Sequence, residues 1–351
     1  MILTEGLSKT YAPLLKKGHL AHALKNISLQ VLEGEIFGII GKAGAGKSTL
    51  VRCLSLLEKP SQGHVCLGSE KISQLPSKLL RVARRKISLL YENPLLLGSR
   101  TVYDNIALPL EFSGYEKHDI EGLVLPVLDQ VGLTEKVQAY PRQLSPGQQQ
   151  RVAIARALVN KPKVLVCDDF THALEPDVGL ALLQLLRQIH QQTGLTIVIL
   201  TETIEVIKAI CDRVAVLDQG RIAEEGRVVD LFTKPQSDLA KELIRSNSRS
   251  EMPQALRCKM VPRPSEGCHY VLRLSFLGKS AQEPLVAQVI QHFQLTINIL
   301  QAHLETIRNE TIGIMIIEVV SEDNDQIPKA IAFLNEKQIH IEVLGYVPRT
   351  P

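Results

Sequence analysis

Apolar runs of four to six residues recur along the first two thirds of the chain, separated by segments whose apolar positions have helical spacing. The runs are residues 36–40, 87–91, 164–167, 195–200 and 214–217. Runs of this length that are wholly or mostly apolar are typical of strands buried on both faces, as in parallel sheets covered by helices. We therefore predict an α/β fold with a mainly parallel sheet, to which residues 222–224 add an antiparallel edge through a hairpin.

The first thirty or so residues show a different pattern, in which apolar and polar residues alternate. Alternation over residues 2–9 and 23–31 predicts an antiparallel strand pair with a polar loop, residues 16–19, between the strands. Tyr11 ends the first strand; stacking on a nucleotide base and an ordinary strand-end position fit the residues about equally. Residues 65–67 predict a further strand, in a hairpin whose turn contains Gly63.

Helical segments follow in the middle of the chain. Several helices between residues 102 and 140 are expected to break at Pro109, Gly114, Pro126 and Gly132. A longer helix is predicted to run from Ser145 to Val159. Ser145 suits the N-cap, and Pro146 suits the first helical position because its missing N–H is not needed there.

The last third of the chain predicts a second domain. Residues 234–264 are polar and contain prolines, apart from a short helical pattern near 239–244, so we interpret them as a linker. A strand, helix, strand, strand, helix and strand follow at 270–277, 282–293, 296–304, 311–320, 325–337 and 339–346. This order is that of the α+β ferredoxin-like fold. No cluster of catalytic residue types occurs there, so a regulatory or ligand-binding role is favoured, with a purely stabilising role as the alternative.

Composition narrows the function classes. The chain has 351 residues, enough for two or three domains, and its net charge of +3 does not argue for a nucleic-acid partner. It has no tryptophan and few aromatic residues, which disfavours a base-stacking surface. Its six cysteines form no C-x-x-C pair, so neither a zinc site nor a disulfide framework is indicated. The sequence shows no membrane-spanning run and no signal peptide, which predicts a soluble, intracellular protein.

The strongest motif lies between the strand at 36–40 and a following helix. It matches the phosphate-binding P-loop pattern and consists of Gly41, Lys42, Ala43, Gly44, Ala45, Gly46, Lys47, Ser48 and Thr49. Its glycines let backbone N–H groups surround phosphates, Lys47 reaches the β- and γ-phosphates, and the Ser48 hydroxyl ligates Mg²⁺. The alternative, a glycine turn that merely joins strand and helix, does not account for Lys47 and Ser48. The motif predicts that the chain binds ATP or a similar nucleotide with Mg²⁺.

Two carboxylates follow the buried strand at 164–167. In a P-loop protein, an acid at the end of such a strand typically orders Mg²⁺ and its waters, which is the role we predict for Asp168. The alternative for Asp168, and more so for Asp169, is to cap the next helix.

The P-loop, the stretch Leu144, Ser145, Pro146, Gly147 and Gln148, and the strand ending at Asp168 resemble, in this order, ATP-binding-cassette (ABC) transporter ATPases. The resemblance covers about residues 1–235. The whole chain resembles, more narrowly, the ATP-binding subunit of bacterial methionine importers, through residues 99–110, residues 341–347 and the appended ferredoxin-like (ACT-like) domain. It implies an ABC nucleotide-binding domain at 1–235, a linker at 236–266 and a regulatory, methionine-binding domain at 267–351.

The resemblance also implies roles for single residues. Tyr11 would stack on adenine, the P-loop would hold ATP and Mg²⁺, and Asp168 would order Mg²⁺ with Ser48 and Glu92. Leu144 to Gln148 form the signature, in which Ser145, Gly147 and Gln148 would contact the γ-phosphate held by a second ATP-binding subunit, a homodimer partner. The implied setting is the cytoplasmic face of the cell membrane, under two permease subunits that residues after Glu92, including leucines 95–97, would contact. A solute-binding protein would act outside.

Several catalytic positions depart from the family. Where the family has a glutamate that orients the attacking water, this chain has Asp169, one methylene shorter. Glu92 replaces a glutamine, and Glu202 replaces a histidine that contacts the γ-phosphate. Pro146 replaces a glycine, while His172 and Glu175 replace a serine and an aspartate. Because phosphoryl transfer depends on stabilising negative charge, Glu202 is the most serious change.

Three functions are therefore considered. The leading one is the ATPase subunit of an amino-acid importer, for methionine by resemblance, with slow hydrolysis as a hypothesis. The second is a non-hydrolysing, ATP-binding regulatory protein derived from such a subunit. The third, a cassette protein that acts on DNA or ribosomes, is weaker because the chain shows neither a coiled-coil insertion nor a second cassette.

Overall fold

A computed structural model describes residues 1–12, 20–247, 260–264, 268–278, 283–307, 310–320, 326–337 and 339–348. The chain divides into two compact units, Met1–Gly226 and Arg227–Pro351. The predicted loop at 16–19 lies outside the described residues, as does the part of the predicted linker at 248–259. The predicted domain boundaries at 235 and 266 stay predictions.

The first unit contains nine strands and seven α-helices within its described residues. The strands are β1 Ile2–Tyr11, β2 Ala21–Val31, β3 Ile36–Ile40, β4 Gln62–Leu67, β5 Ile87–Tyr91, β6 Val164–Asp168, β7 Thr196–Thr201, β8 Arg213–Asp218 and β9 Arg221–Arg227, whose last residue belongs to the second unit. The helices are α1 Lys47–Leu54, α2 Ser77–Arg85, α3 Val102–Glu111, α4 Lys117–Gln130, α5 Pro146–Leu158, α6 Pro176–Thr193 and α7 Ile204–Ile210.

The predicted parallel sheet is confirmed. Its six strands lie in the order β5-β6-β7-β3-β8-β9, and β3, β5, β6, β7 and β8 pair in parallel. Strands β8 and β9 are joined by Gln219 and Gly220, both at positive φ, as a two-residue hairpin requires. The carboxyl ends of β3, β5, β6 and β7 therefore meet at one edge, where the P-loop and the predicted acidic residues follow them.

A separate antiparallel sheet, β2-β1-β4, covers one side of this arrangement. The predicted pairing of the first two strands is confirmed, but β4 pairs with β1 and not within a local hairpin. The prediction for Gly63 is wrong, because this residue lies within β4. It has φ +72°, and a Cβ there would lie 2.4 Å from the backbone of Gly6. Gly63 therefore permits a close crossing of two backbones.

Apolar side chains of both sheets and of helix α1 form one continuous core. Helices α3, α4 and α5 contact one another to the side of it. Two predicted breaks in this region are wrong, since Pro109 lies inside α3 and Pro126 inside α4. Gly114 and Gly132 do follow the ends of these helices, at positive φ. A proline costs a helix one N–H bond, and in both helices the remaining contacts outweigh that loss.

The second unit has the predicted β-α-β-β-α-β order. Its elements are β10 His269–Leu277, α10 Leu285–Phe293, β11 Thr296–Ile307, β12 Glu310–Val320, α11 Gln326–Glu336 and β13 His340–Val347. The antiparallel sheet has the order β11-β12-β10-β13, which is the ferredoxin-like arrangement. Side chains of α10 and α11 share a core with one sheet face.

Two helices precede this module, α8 Val228–Thr233 and α9 Asp238–Asn247. The predicted short helix near 239–244 is confirmed as α9, whereas α8 had no sequence prediction. Helix α8 contacts β10 and β12, so it belongs structurally to the second unit. Every helix within the described residues is too short or too polar to cross a membrane.

Candidate active site

The P-loop connects β3 to α1 in a conformation that needs its glycines. Gly44 and Gly46 have φ of +80° and +110°. A Cβ on Gly46 would lie 2.6 Å from the carbonyl oxygen of Ala23, and one on Gly41 would lie 2.4 Å from that of Leu217. Neither position accepts a side chain without moving backbone. The loop is thus wrapped tightly in front of the α1 N-terminus, where N–H groups point outward.

A cavity of about 660 Å³ opens in front of this loop. The predicted residues that line it are Ala43, Gly44, Gly46, Lys47, Ser48, Thr49, Glu92, Asp168, Asp169 and Glu202. Residues from four strand ends are therefore brought together, as the parallel sheet predicts. Gly41, Lys42 and Ala45 lie within the same loop but do not line the cavity. The functional roles assigned to all these residues stay predictions.

The ammonium group of Lys47 is buried at the base of the cavity. Its Nζ donates hydrogen bonds to the carbonyl oxygens of Gly41 at 2.8 Å and Lys42 at 3.1 Å. A third bond, of 2.7 Å, joins it to Oε1 of Glu202. The Lys47 side chain is 8% exposed and that of Glu202 is 40% exposed. Glu202, which we predict to be the most serious departure from the family pattern, is thus an ion-pair partner of the P-loop lysine.

Asp168 ends β6 beside the P-loop. Burial raises the pKa of its carboxyl group, and the neighbouring carboxylates of Asp169 and Glu92 raise it further, whereas Lys47 lowers it. The hydroxyl of Ser48 lines the same cavity. A hydroxyl and a partly buried carboxylate that repels its neighbours are suitable oxygen ligands for Mg²⁺. The residues present therefore fit a magnesium ion held by Ser48 and Asp168.

Asp169 is fixed by bonds to the adjacent strand. Its φ is +45°, its N–H donates to the carbonyl of Leu200 at 2.8 Å, and its Oδ1 accepts from the Thr201 hydroxyl at 2.8 Å. The Thr201 oxygen in turn accepts from the N–H of Thr203. The alternative of a helix cap does not describe Asp169, because helix α6 begins only at Pro176. Its carboxylate is held in one position at the edge of the cavity.

Gln150 was not singled out from the sequence, although it connects two parts of the site. It lies on α5 and is 1% exposed. Its Nε2 donates to the carbonyl of Tyr91 at 2.9 Å and to that of Phe170 at 3.0 Å. These residues are the chain neighbours of Glu92 and Asp169. The only sequence signal was a polar residue on the apolar side of the predicted helix.

The signature residues lie at the N-terminus of α5. Ser145 caps the helix by accepting from the N–H of Gln148, whose side chain accepts from the N–H of Ser145 in return. Pro146 occupies the first turn as predicted. A Cβ on Gly147 would lie 2.5 Å from Cγ1 of Val178. None of residues 144–148 lines the cavity of the same chain.

Tyr11 lies at the end of β1, outside the residues that line the cavity. Its hydroxyl donates to Oε2 of Glu58 at 2.7 Å, and Nζ of Lys9 lies 5.1 Å from its ring centre. Burial raises the pKa of Tyr11, while the side chains of Thr49 and Glu58 act on it in opposite directions. The ring is therefore anchored next to the last P-loop residue.

The segment after Glu92 is ordered by two polar side chains. Arg156 on α5 donates to the carbonyls of Pro94 and Leu95, and the buried Asn105 bonds the N–H and the carbonyl of Leu97. These bonds present apolar side chains to solvent. Leu95 is 56% and Leu97 42% exposed, and other exposed apolar residues of this unit include Leu79, Val82, Phe112 and Tyr115. Exposed apolar side chains that lie next to one another can form a protein interface, so Leu95 and Leu97 are candidates for one.

Two family models match the chain. One, described as ABC transporter, matches residues 24–172, which include the P-loop, the signature stretch and the strand ending at Asp168. The other, described as NIL domain, matches residues 270–343 in the second unit.

Full-length relatives are also found. The chain is 45% identical to the methionine import ATP-binding protein MetN of Coxiella burnetii, over 99% of this chain and 98% of that protein. It is 45% identical to the methionine import ATP-binding protein MetN 1 of Burkholderia ambifaria, over 93% of this chain and 94% of that protein.

Solved structures resemble about two thirds of the chain. They include the dimeric post-hydrolysis state of the ATP-binding cassette MJ0796 bound to ADP and Pi, at 33% identity and a TM-score of 0.59. That match covers 65% of this chain and 99% of the other. CbiO1 from Clostridium perfringens, part of the ABC transporter complex cbiONQ, matches at 30% identity and a TM-score of 0.61, over 70% and 93%.

Proposed function

Because this chain belongs to the family of methionine import ATP-binding proteins, we propose that it is the ATPase subunit of an importer that carries methionine. It is an ABC-type ATPase subunit whose cofactors are ATP and Mg²⁺. The observation that carries the proposal is the set formed by Lys47, Ser48 and Asp168 in one cavity, within a chain that matches an import protein over 99% of its length. That extent of the match does not favour the alternative of a regulatory protein without transport.

The proposed chemistry assigns each group a task. Lys47 and the P-loop N–H groups bind the phosphates, and Tyr11 stacks on the base. Ser48 and Asp168, with Glu92 beside them, hold Mg²⁺, which when bound neutralises phosphate charge. The Asp169 carboxylate orients the attacking water, and its bond with Thr201 fixes its direction. Its side chain is one methylene shorter than the family's glutamate, so hydrolysis is slowed by misplacement of this carboxylate.

The proposed partners follow from two surfaces. The N-terminus of α5, where Ser145 is exposed, Gln148 partly exposed and Gly147 buried, would contact the nucleotide of a second copy of this chain, in a homodimer. The exposed Leu95 and Leu97, near the cavity, would contact two permease subunits. We place the assembly at the cytoplasmic face of the cell membrane, with a solute-binding protein acting outside.

For the second unit we propose a regulatory role in which methionine binds and reduces transport. A cavity of about 250 Å³ there has a mainly apolar lining that includes Phe276, Leu304 and Met315, together with Glu283 and His303. An apolar lining with a few polar groups suits an amino acid whose side chain is a thioether.

The test is ATP hydrolysis and methionine uptake by the chain assembled with its permease in lipid vesicles. We expect ATP-dependent uptake, and we expect Lys47→Ala to reduce hydrolysis by about a hundredfold or more, because it removes the ammonium group that neutralises phosphate charge. Lys163→Ala, an exposed lysine before β6, is the matched control and should retain wild-type activity. Nucleotide binding without uptake of methionine would refute the assigned substrate.

A further inference from the structure

All three hydrogen-bond donors of the Lys47 ammonium group are already engaged within the chain. A lysine Nζ carries three N–H donors, and here they go to the carbonyls of Gly41 and Lys42 and to the carboxylate of Glu202. A phosphate oxygen that binds Lys47 must therefore replace one of these acceptors. Which acceptor leaves decides how strongly a nucleotide binds.

Glu202 is the acceptor that can leave. The two carbonyls belong to the P-loop backbone, whose path is fixed by glycines at positive φ and by close approaches to Ala23 and Leu217. Glu202 lies between β7 and α7, its side chain is 40% exposed, and it has three rotatable bonds through which to turn into solvent. Its departure costs a charge-assisted bond but no backbone rearrangement.

The charges that line the cavity make this exchange unfavourable for a polyphosphate. The described residues lining it contribute four carboxylates, of Glu92, Asp168, Asp169 and Glu202, and a single ammonium group, that of Lys47. A phosphate on Lys47 takes the place of the Glu202 carboxylate and remains close to it. Each further phosphate adds repulsion at short range, which is strong in a partly buried site.

We propose that Glu202 is a specificity-determining residue that competes with nucleotide phosphates for Lys47 and weakens ATP binding more than ADP binding. This inference rests on the proposed function, since it takes the cavity to be the nucleotide site. It adds to that function a selectivity between ADP and ATP. A nucleotide binds Lys47 only when its phosphate displaces the carboxylate of Glu202.

The experiment is equilibrium binding to the purified full chain, measured by titration calorimetry with Mg²⁺ and either ADP or the non-hydrolysable ATP analogue AMP-PNP. We expect Glu202→Gln, which keeps the side-chain shape and removes the charge, to lower the Kd for AMP-PNP about tenfold and that for ADP about threefold. Glu205→Gln, the same change three residues along on α7 and outside the cavity lining, should change neither Kd by more than about twofold.

A second measurement separates competition from a purely structural role. Without nucleotide, Glu202→Gln should unfold at a lower temperature than wild type, because an ion pair is lost. At saturating AMP-PNP the order should reverse. A variant that binds AMP-PNP no more tightly than wild type would overturn the inference and leave the proposed function intact. If neither wild type nor Glu202→Gln binds nucleotide, the inference and the proposed function are both refuted.

Discussion

The P-loop and the strand ends that face it differ in charge: the P-loop attracts negatively charged groups, and the strand ends repel them. The P-loop side presents Lys47, the Ser48 hydroxyl and backbone N–H groups, and its residues follow the family pattern. The opposite side presents four carboxylates on the ends of β5, β6 and β7, three of which depart from that pattern. The residues predicted to bind phosphate therefore match the family pattern, whereas three of the four carboxylates predicted to act on it do not.

The largest expected effect comes from restoring the changed side. In the double variant Asp169→Glu/Glu202→His, the carboxylate regains its reach and the cavity loses one negative charge. We expect ATP turnover with the permease to rise by about a hundredfold, the scale of an ångström-sized misplacement. Steady-state phosphate release measures this.

The single variants Asp169→Glu and Glu202→His show which of the two residues limits ATP turnover more. If wild type already turns over at the double variant's rate, then the carboxylates are tolerated and the contrast between the two sides has no catalytic meaning.

A smaller effect is expected at Gln150, which ties the signature helix to both strand ends. Gln150→Leu leaves the carbonyls of Tyr91 and Phe170 without this donor, so Glu92 and Asp169 lose a constraint on their position. We expect turnover to fall about tenfold while the Kd for nucleotide changes little, because the P-loop contacts are untouched. Comparison of kcat with nucleotide Kd checks this.

Gln149→Leu is the matched control for that prediction. Gln149 also donates to two carbonyls, those of Pro141 and Leu144, but to neither strand end. Each variant should lose ~1–3 kcal/mol of stability, the cost of unpaired buried carbonyls. Equal losses of turnover in both variants would show that Gln150 acts through stability alone.

Sequence patterns within short windows predicted the parts of the fold that depend on interactions between residues close in sequence. The strand before the P-loop, the Ser145 cap and the strand and helix order of the second unit all follow from periodicity and capping within short windows. What escaped prediction depends on distant partners. Gly63 allows a close backbone approach because Gly6 lies opposite it. Pro126 is tolerated because its helix is packed against others. Gln150 contributes to the site because it bonds to carbonyls at two strand ends that are distant from it in sequence.

The acidic side of the cavity should also affect stability in a pH-dependent way. Burial and Asp169 raise the pKa of Asp168, so the folded chain keeps this proton to higher pH than the unfolded chain does. Stability therefore falls as the pH rises from the unfolded pKa of Asp, ~3.9, through the raised folded value, and the loss persists at neutral pH.

Asp168→Asn removes that loss. Without nucleotide or Mg²⁺, its free energy of unfolding at pH 7 should exceed that of wild type by ~1 kcal/mol or less, and the difference should vanish at pH 3. With ATP and Mg²⁺ the order should reverse, because the variant lacks the carboxylate that we propose holds the ion. Denaturant unfolding at both pH values gives the comparison, and a variant less stable than wild type at pH 7 would contradict it.

The smallest effect is expected at Pro146, a predicted departure in the signature stretch that does not line the cavity. At the first position of α5 a proline loses no hydrogen bond, and its fixed φ already suits the helix. Pro146→Gly, which restores the family's residue, should therefore change turnover by less than about threefold and lower stability by ~0.5–1 kcal/mol, because glycine frees the unfolded chain. A large gain in turnover from this change alone would assign the proposed slow hydrolysis to the signature helix and not to the carboxylates. The contrast between the two sides of the cavity would then no longer explain the chain's chemistry.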